Sequence, residues 1–256
     1  MTAQRSQDTQ ASAPRFHVAQ IELRAGIDIA LPEAAAHHAT RVLRLAVGDA
    51  LTLFDGRGGE YVARLAAVDR RGARVAIERF VAIEREAPVA VTLALSVLAA
   101  DAMDVALRKA VELGVARIEP VVAARSQGGA RGTQAQRRVA HWRQVATGAC
   151  EQCGRNRVPP VADAVPLDTW LAGAGAADIV LVPGASHTLL QRVADAPPRA
   201  IVVGPEGGFT DDELAIARHH GVRAAALGAA ILRADTAAIA ALAVVQARAG
   251  AATRGA

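Results

Sequence analysis

VVGPEGGFTDDEL, residues 202–214, reads as a buried strand, a glycine-rich loop and the first turn of a helix. AIVVG (200–204) runs without polar alternation, the pattern of a strand covered on both faces. Thr210 followed three residues later by Glu213 has the spacing of a capping box, which starts the helix there. The same order of elements repeats on either side. Downstream, VRAAALG (222–228) leads into DTAAIAALAVVQARA (235–249), a helix that Asp235 or Thr236 can cap. Upstream, DIVLVP (178–183) precedes HTLLQRVAD (187–195), and ARIEPVV (116–122) precedes a long helix over 134–153. VAVTLALSVLA (89–99) precedes DAMDVALRKAVEL (101–113), with Asp101 placed to cap it and Gly114 to end it. Strands alternating with helices over residues 88–250 predict a parallel α/β domain.

Residues 15–84 have a different texture. FHVAQIELR (16–24), DALTLFDG (49–56), EYVARLAAV (60–68) and ARVAIERF (73–80) read as strands, with Arg57-Gly58-Gly59 as a hairpin turn. LPEAAAHHATRVLR (31–44) reads as one helix, with Pro32 in its first turn. A small, mostly antiparallel β-barrel fits this stretch. Its boundary with the α/β domain falls near 82–88, at IEREAP. Residues 1–14 read as a polar, disordered leader, too poor in apolar residues for a signal peptide.

The chain has 256 residues, 52% hydrophobic and 21% charged, which excludes a disordered protein. The longest apolar run, Ala87–Ala100, falls short of the ~20 residues that span a bilayer, so a cytoplasmic protein is expected. Two cysteines exclude a disulfide scaffold. Aromatics at 3% leave little for stacking on bases. Net charge is +4, and Lys109 is the only lysine, so the positive charge is almost wholly guanidinium. That fits phosphate well, but it also follows from a composition rich in Ala, Gly and Arg together.

Ligands of open α/β sheets sit beyond the carboxyl ends of the strands. Three such ends stand out: LVPGAS (181–186), the loop after Gly204, and the loop after Leu227. Gly207 and Gly208 allow close approach to the backbone. Neither GxGxxG nor GxxxxGK[ST] occurs, and Asp211 and Asp212 oppose an anion at the helix start, so a neutral or cationic ligand is favoured. Arg233, between apolar residues just ahead of a helix, is either an ion-pair partner or aimed at a ligand. His37, Arg41 and Arg44 are spaced to share one helical face that could straddle phosphates or be simply solvated. Cys150 and Cys153 form a C-x-x-C after a helix and read as structural thiols; no metal set is spaced for ligation. His219-His220, at a helix end before Gly221, suit a C-terminal cation.

Taken in order, these segments resemble the RsmE-type 16S rRNA (uracil-N3) methyltransferases of the SPOUT superfamily. The resemblance rests on VVGPEGGFTDDEL and LGAAILRADTAAIAAL (227–242), with RKAVELGVARIEPVVAARSQ (108–127) and EQCGRNRVPPV (151–161). HHATRVLRLAVGD (37–49) and FDGRGGEY (54–61) are similar to the family's N-terminal PUA-like barrel. The resemblance implies a trefoil-knotted SPOUT domain, a homodimer, and S-adenosylmethionine bound among the knot loops. The implied cofactor residues are Leu181, Val182, Pro183 and Gly184 in the first loop, and Gly204, Pro205, Glu206, Gly207 and Gly208 in the second. In the third they are Leu227, Gly228, Ile231, Leu232, Arg233 and Thr236. The implied acceptor is N3 of one uridine in 16S rRNA, on free RNA or the small ribosomal subunit. N3 lies on the pairing edge, so the base must be unpaired or flipped.

Chemically, N3 must lose a proton, so a base or a cation facing the anionic ring would help. Arg233 is the candidate cation and Glu206 a candidate base or loop holder; Arg15, at the first strand, resembles an N-terminal arginine of the family, and the resemblance implies that it reaches the target nucleotide. Arg15, His37, Arg41, Arg44, Lys109, Arg125 and Arg155 are the candidate RNA contacts. The chain departs from the resemblance at Ala230, where arginine is common, and Asp235, where glutamate is common. A 2′-O-methyltransferase is disfavoured because its Asn-x-Gly-x-x-x-Arg motif is missing; Asn156 is the only asparagine. A non-catalytic RNA-binding factor is disfavoured by the intact Gly204, Gly207, Gly208 and Gly228, and a nicotinamide dehydrogenase by the missing glycine fingerprint.

Overall fold

The computed structural model describes residues 13–254 apart from 20, 71, 128–131 and 195, so most of the expected leader lies outside the described residues. The chain divides into two compact units. One comprises residues 1–85 and 150–158, the other 86–149 and 159–256.

The first unit is built on a five-stranded sheet. Its elements are β1 (Arg15–His17), β2 (Asp28–Ala30), α1 (Glu33–His37), β3 (Ala50–Phe54), β4 (Glu60–Asp69) and β5 (Gly72–Val81). The strand order is β1-β3-β4-β5-β2, antiparallel except where β1 runs parallel to β3. Period-2 alternation works as expected in β4 and β5: Ala63 and Leu65, then Ala73, Val75 and Ile77, point into a core with Phe16, Leu51 and Leu53. The long strand expected over 16–24 is shortened to Arg15–His17, although Val18 N still bonds Phe54 O at 2.8 Å.

The helix expected over 31–44 is also corrected. α1 is followed by a π-helical turn, His38–Val42, in which Leu43 N bonds His38 O. The wider turn breaks the four-and-three spacing. His37, Arg41 and Arg44 therefore do not line one α-helical face, and Arg44 sits past the turn in the left-handed region, φ 56°.

The second unit carries β6 (Thr92–Ser96), α2 (Ala100–Glu112), β7 (Arg117–Val122), α3 (Thr133–Cys153), β8 (Val165–Pro166), α4 (Leu167–Leu171), β9 (Asp178–Leu181), α5 (Leu189–Arg192), β10 (Ala200–Val203), α6 (Asp211–His219), β11 (Arg223–Ala225) and α7 (Ala234–Arg254). The last residues of α3, from Cys150, are grouped with the first unit. All six strands are parallel, in the order β11-β9-β10-β6-β7-β8. β9 and β10 are buried at every position, which is why their sequence shows no alternation. Thr210 caps α6 through a full capping box with Glu213. Asp101 does not cap α2; Ala99 is the N-cap, and Asp101 lies in the first turn. Asp235 likewise lies inside the first turn of α7, where its Oδ1 accepts from Thr236 N.

Candidate functional site

The carboxyl ends of β9, β10 and β11 converge on one cavity of about 520 Å³ within the second unit. Pockets for drug-sized ligands fall in this range, ~300–1,000 Å³. Leu181, Val182 and Pro183 form one wall and Gly204 to Gly208 the second. Leu227, Gly228, Ile231, Leu232 and Arg233 form the third. Gly184 and Thr236, expected with them, are not at the wall: the wall ends at Pro183 on that side, and Thr236 already lies within α7.

Several wall residues were not singled out by spacing. Phe209 comes from the loop just before α6, Leu214 from the start of α6, and Ala234 and Ala237 from one face of α7. Ala230 also lines the cavity, where its small side chain leaves room that an arginine would take.

The glycine loop is held from two sides. Glu206 Oε1 accepts from Ala99 N at 3.0 Å, tying the loop to the start of α2. Arg125, just after β7, donates from Nη1 to Gly207 O at 2.8 Å and itself lines the cavity. A Cβ at Gly207 would lie 3.2 Å from both Cβ and Cδ of Arg125, so a side chain there would push the Arg125 stem aside by a few tenths of an ångström. Expected as an RNA contact, Arg125 is found at the cavity wall. Its position three residues past a strand end was the available signal, but periodicity does not reveal which strands are neighbours.

The cavity is not suited to a pyrophosphate. Asp211, Asp212 and Glu213 occupy the first turn of α6, so the helix N-terminus presents negative charge. Arg233 is exposed at the rim, beside Ile231, which is 84% exposed.

The remaining candidates lie elsewhere. In the first unit, Arg15 is buried to 8% side-chain exposure. It donates to Glu60 at 2.5 Å and to Asn156 Oδ1 at 2.5 Å, and stacks over the Phe54 ring. So committed, its guanidinium is held by partners of its own unit rather than turned outward, as the expected nucleotide contact would have it. Arg155, 4% exposed, is likewise closed to a phosphate backbone. Burial alone pushes the Glu60 carboxyl up. Hydrogen bonds from Arg85 and Arg15, with their charges, outweigh it and lower the pKa from 4.5 to about 2. His37, Arg41 and Arg44 are exposed. Lys109, in the second unit, is engaged by both oxygens of Glu112 at 2.8 Å. Cys150 is buried and Cys153 half-buried, both as free thiols. Among the described residues no three His, Cys, Asp or Glu side chains gather to hold a metal ion, and no helix is long and apolar enough to cross a membrane.

A parallel sheet whose strand ends enclose an apolar cavity, joined to a separate small β unit, defines a class. Residues 85–246 match the RNA methyltransferase domain family and residues 31–78 the RNA methyltransferase PUA domain family. More narrowly, the chain belongs to the ribosomal RNA small subunit methyltransferase E family. It is 32% identical over 216 residues to the Mycobacterium bovis member, covering 81% of this chain and 82% of that one. It is 30% identical over 226 residues to the Synechocystis member, covering 86% and 73%. A Neisseria gonorrhoeae ribosomal RNA small subunit methyltransferase E, solved bound to S-adenosyl methionine, superposes with TM-score 0.83 at 34% identity, covering 92% of this chain and 97% of that one. A Legionella pneumophila protein solved with bound SAM superposes with TM-score 0.87, also at 34% identity and the same coverage.

Proposed function

We propose that this protein transfers the methyl group of S-adenosylmethionine to N3 of a uridine in 16S rRNA of the small ribosomal subunit, in the cytoplasm. The observation that carries the reading is the cavity at the carboxyl ends of β9, β10 and β11, with Arg233 at its rim. Its size, its apolar walls and the exposed peptides of the glycine loop fit an adenosine with a short charged tail. The acidic first turn of α6 fits a cationic sulfonium better than a phosphate. Bound there, the cofactor supplies an electrophilic methyl group.

The chain's own residues supply the rest. Glu206 and Arg125 hold the glycine loop from opposite sides, which fixes one wall before the ligands arrive. Arg233 faces the uracil ring and stabilises the negative charge left when N3 gives its proton to water. In the first unit, Arg15 keeps residues 150–158 in place, and Arg41, Arg44 and His37 meet the phosphate backbone.

The domain with the cavity is a trefoil knot in this reading, which rests on its match to the RNA methyltransferase domain family. The working form is a homodimer with the cofactor near the interface. The support is an apolar groove formed by Leu189, Leu190, Ala226, Leu227 and Val244, whose Ala226 and Leu227 also line the cavity, and by Leu190 at 59% exposure. A sedimentation mass of one chain would refute the dimer.

The function is tested by methyl transfer from labelled S-adenosylmethionine to small subunits lacking the modification, followed by digestion and nucleoside separation. Label in 3-methyluridine is the expected result. Label in any other nucleoside overturns the N3 specificity, and absence of cofactor binding overturns the enzyme reading.

A further inference from the structure

Two helices of the second unit begin on capping boxes, and they differ by one atom. In α5, Gln191 Oε1 accepts from Thr188 N at 2.8 Å, and Thr188 Oγ1 accepts from Gln191 N at 3.2 Å. In α6, Glu213 Oε2 accepts from Thr210 N at 2.8 Å, and Thr210 Oγ1 accepts from Glu213 N at 3.2 Å. A glutamine therefore completes a cap of this kind within the same fold. The other oxygen of Glu213 is used differently. Oε1 accepts from Ala124 N at 2.7 Å, in the loop after β7.

The neighbour of Ala124 is Arg125, which lies along the Gly207 peptide and lines the cavity. The same loop is closed by Ala123 N donating to Ser126 Oγ at 3.0 Å and by Gln127 N donating to Val97 O at 3.1 Å. Glu213 thus joins the two segments that meet at the cavity wall, the glycine loop with its helix and the loop bearing Arg125. One side chain can do both jobs only if it offers two acceptor oxygens. A carboxylate does; a carboxamide offers one.

We infer that Glu213 is a positioning residue for methyl transfer: its carboxylate spans the α6 cap and the loop after β7, holding Arg125 against the glycine loop at the cofactor wall. The inference rests on the proposed cofactor reading of the cavity. It assigns the cap to one oxygen and the ligand-binding geometry to the other.

The full chain is tested in five variants, three single substitutions at Glu213 and Arg125, their double and a cavity-filling control, by S-adenosylmethionine titration, thermal melting without ligand, and kcat and KM for methyl transfer. Glu213→Gln keeps the cap, so its melting temperature stays within about 2 °C of wild type. Its cofactor dissociation constant rises about fivefold, which is ~1 kcal/mol, with KM for the cofactor rising more than kcat falls. Glu213→Ala loses both oxygens and lowers the melting temperature as well. Arg125→Ala weakens the cofactor comparably, and adding Glu213→Gln to it changes nothing further, because the two residues act as a unit. Ala237→Trp, which fills the cavity from α7, is the control for the reading of the site.

Native affinity in Ala237→Trp would overturn the cavity as the cofactor site. Lost affinity in Ala237→Trp with native affinity in Glu213→Gln would overturn the positioning role alone. Additive effects of Glu213→Gln and Arg125→Ala would also overturn it, as would a melting temperature in Glu213→Gln as low as in Glu213→Ala.

Discussion

Glu60→Gln tests the polar hub of the first unit. The Glu60 carboxylate accepts from Arg15 at 2.5 Å and from Arg85 at 2.8 Å, with its own side chain 13% exposed. Arg15 is enclosed, and its Nε has no partner among the described residues. A pKa lowered from 4.5 to about 2 corresponds to ~3 kcal/mol of stabilisation at 1.36 kcal/mol per unit. Arg85 is 38% exposed, so solvent screens its share, and ~2 kcal/mol is expected to remain. Glutamine keeps one acceptor oxygen for two arginines and removes the counter-charge of a buried guanidinium, a loss of ~2–3 kcal/mol.

Trp142 and Trp170 both lie in the second unit, so indole fluorescence does not follow this unfolding. Amide hydrogen exchange in β4 and β5 does, since the slowest amides there report the opening of the sheet. A depressed carboxylate stabilises the fold fully above its unfolded pKa and loses that contribution as pH falls through the folded one. The difference between wild type and variant is therefore constant from pH 7 to 5. It falls to roughly half by pH 3 and disappears near pH 2 and below. A difference under ~0.5 kcal/mol at pH 7 would refute the reasoning. So would a larger difference that stays level down to pH 3.

Three further outcomes follow from the geometry. Arg233→Ala lowers the methyl-transfer rate at least ~100-fold with the fold intact by circular dichroism; full activity would remove Arg233 from the chemistry. Arg41→Ala with Arg44→Ala raises the apparent KM for small subunits and flattens the slope of log affinity against log salt by ~1.5; an unchanged slope would mark that surface as merely solvated. Gly114, at φ 80°, ends α2 where an added Cβ would lie 2.2 Å from Ala87 Cβ. Gly114→Ala therefore combines backbone strain with a clash against half-buried Ala87 and lowers the melting temperature by ~5–10 °C; a change under 2 °C would contradict the contact.

The second unit was the more legible half, and the reason is local. Short apolar runs such as IVL (179–181) and AIVV, bounded by turn residues, read as strands buried on both faces, and the loops after them mark the ligand edge of the sheet. What spacing could not supply was neighbourhood. Arg125 reaches the cavity because β7 lies beside β6 and β6 beside β10, an order that no periodicity encodes. In the first unit the π-helical turn was equally hidden. Its sequence has ordinary helical spacing, and the break shows only in Leu43 N bonding His38 O with Ala39 fully buried. The grouping of residues 150–158 with the first unit is a tertiary fact too, carried by contacts such as His17 N to Glu151 and Asn156 Nδ2 to Ile83 O.

The arginines show why composition was the weakest guide. With a single lysine in the chain, guanidinium groups take structural work as well as any work on RNA. Arg143 donates to Val161 O, Arg192 to Ala224 O and Arg248 to Ala194 O, each bridging backbone that would otherwise need water. Arg15 and Arg155 are enclosed in the first unit, and Arg199 is committed to buried Asp178. A fork of five donors suits such sites better than an ammonium does. The net charge of +4 therefore overstates the surface that phosphates can reach. The salt dependence of subunit binding should follow the exposed arginines around the π-helical turn rather than the arginine total, and for that reason the two-arginine variant there is the sharper measure of RNA contact.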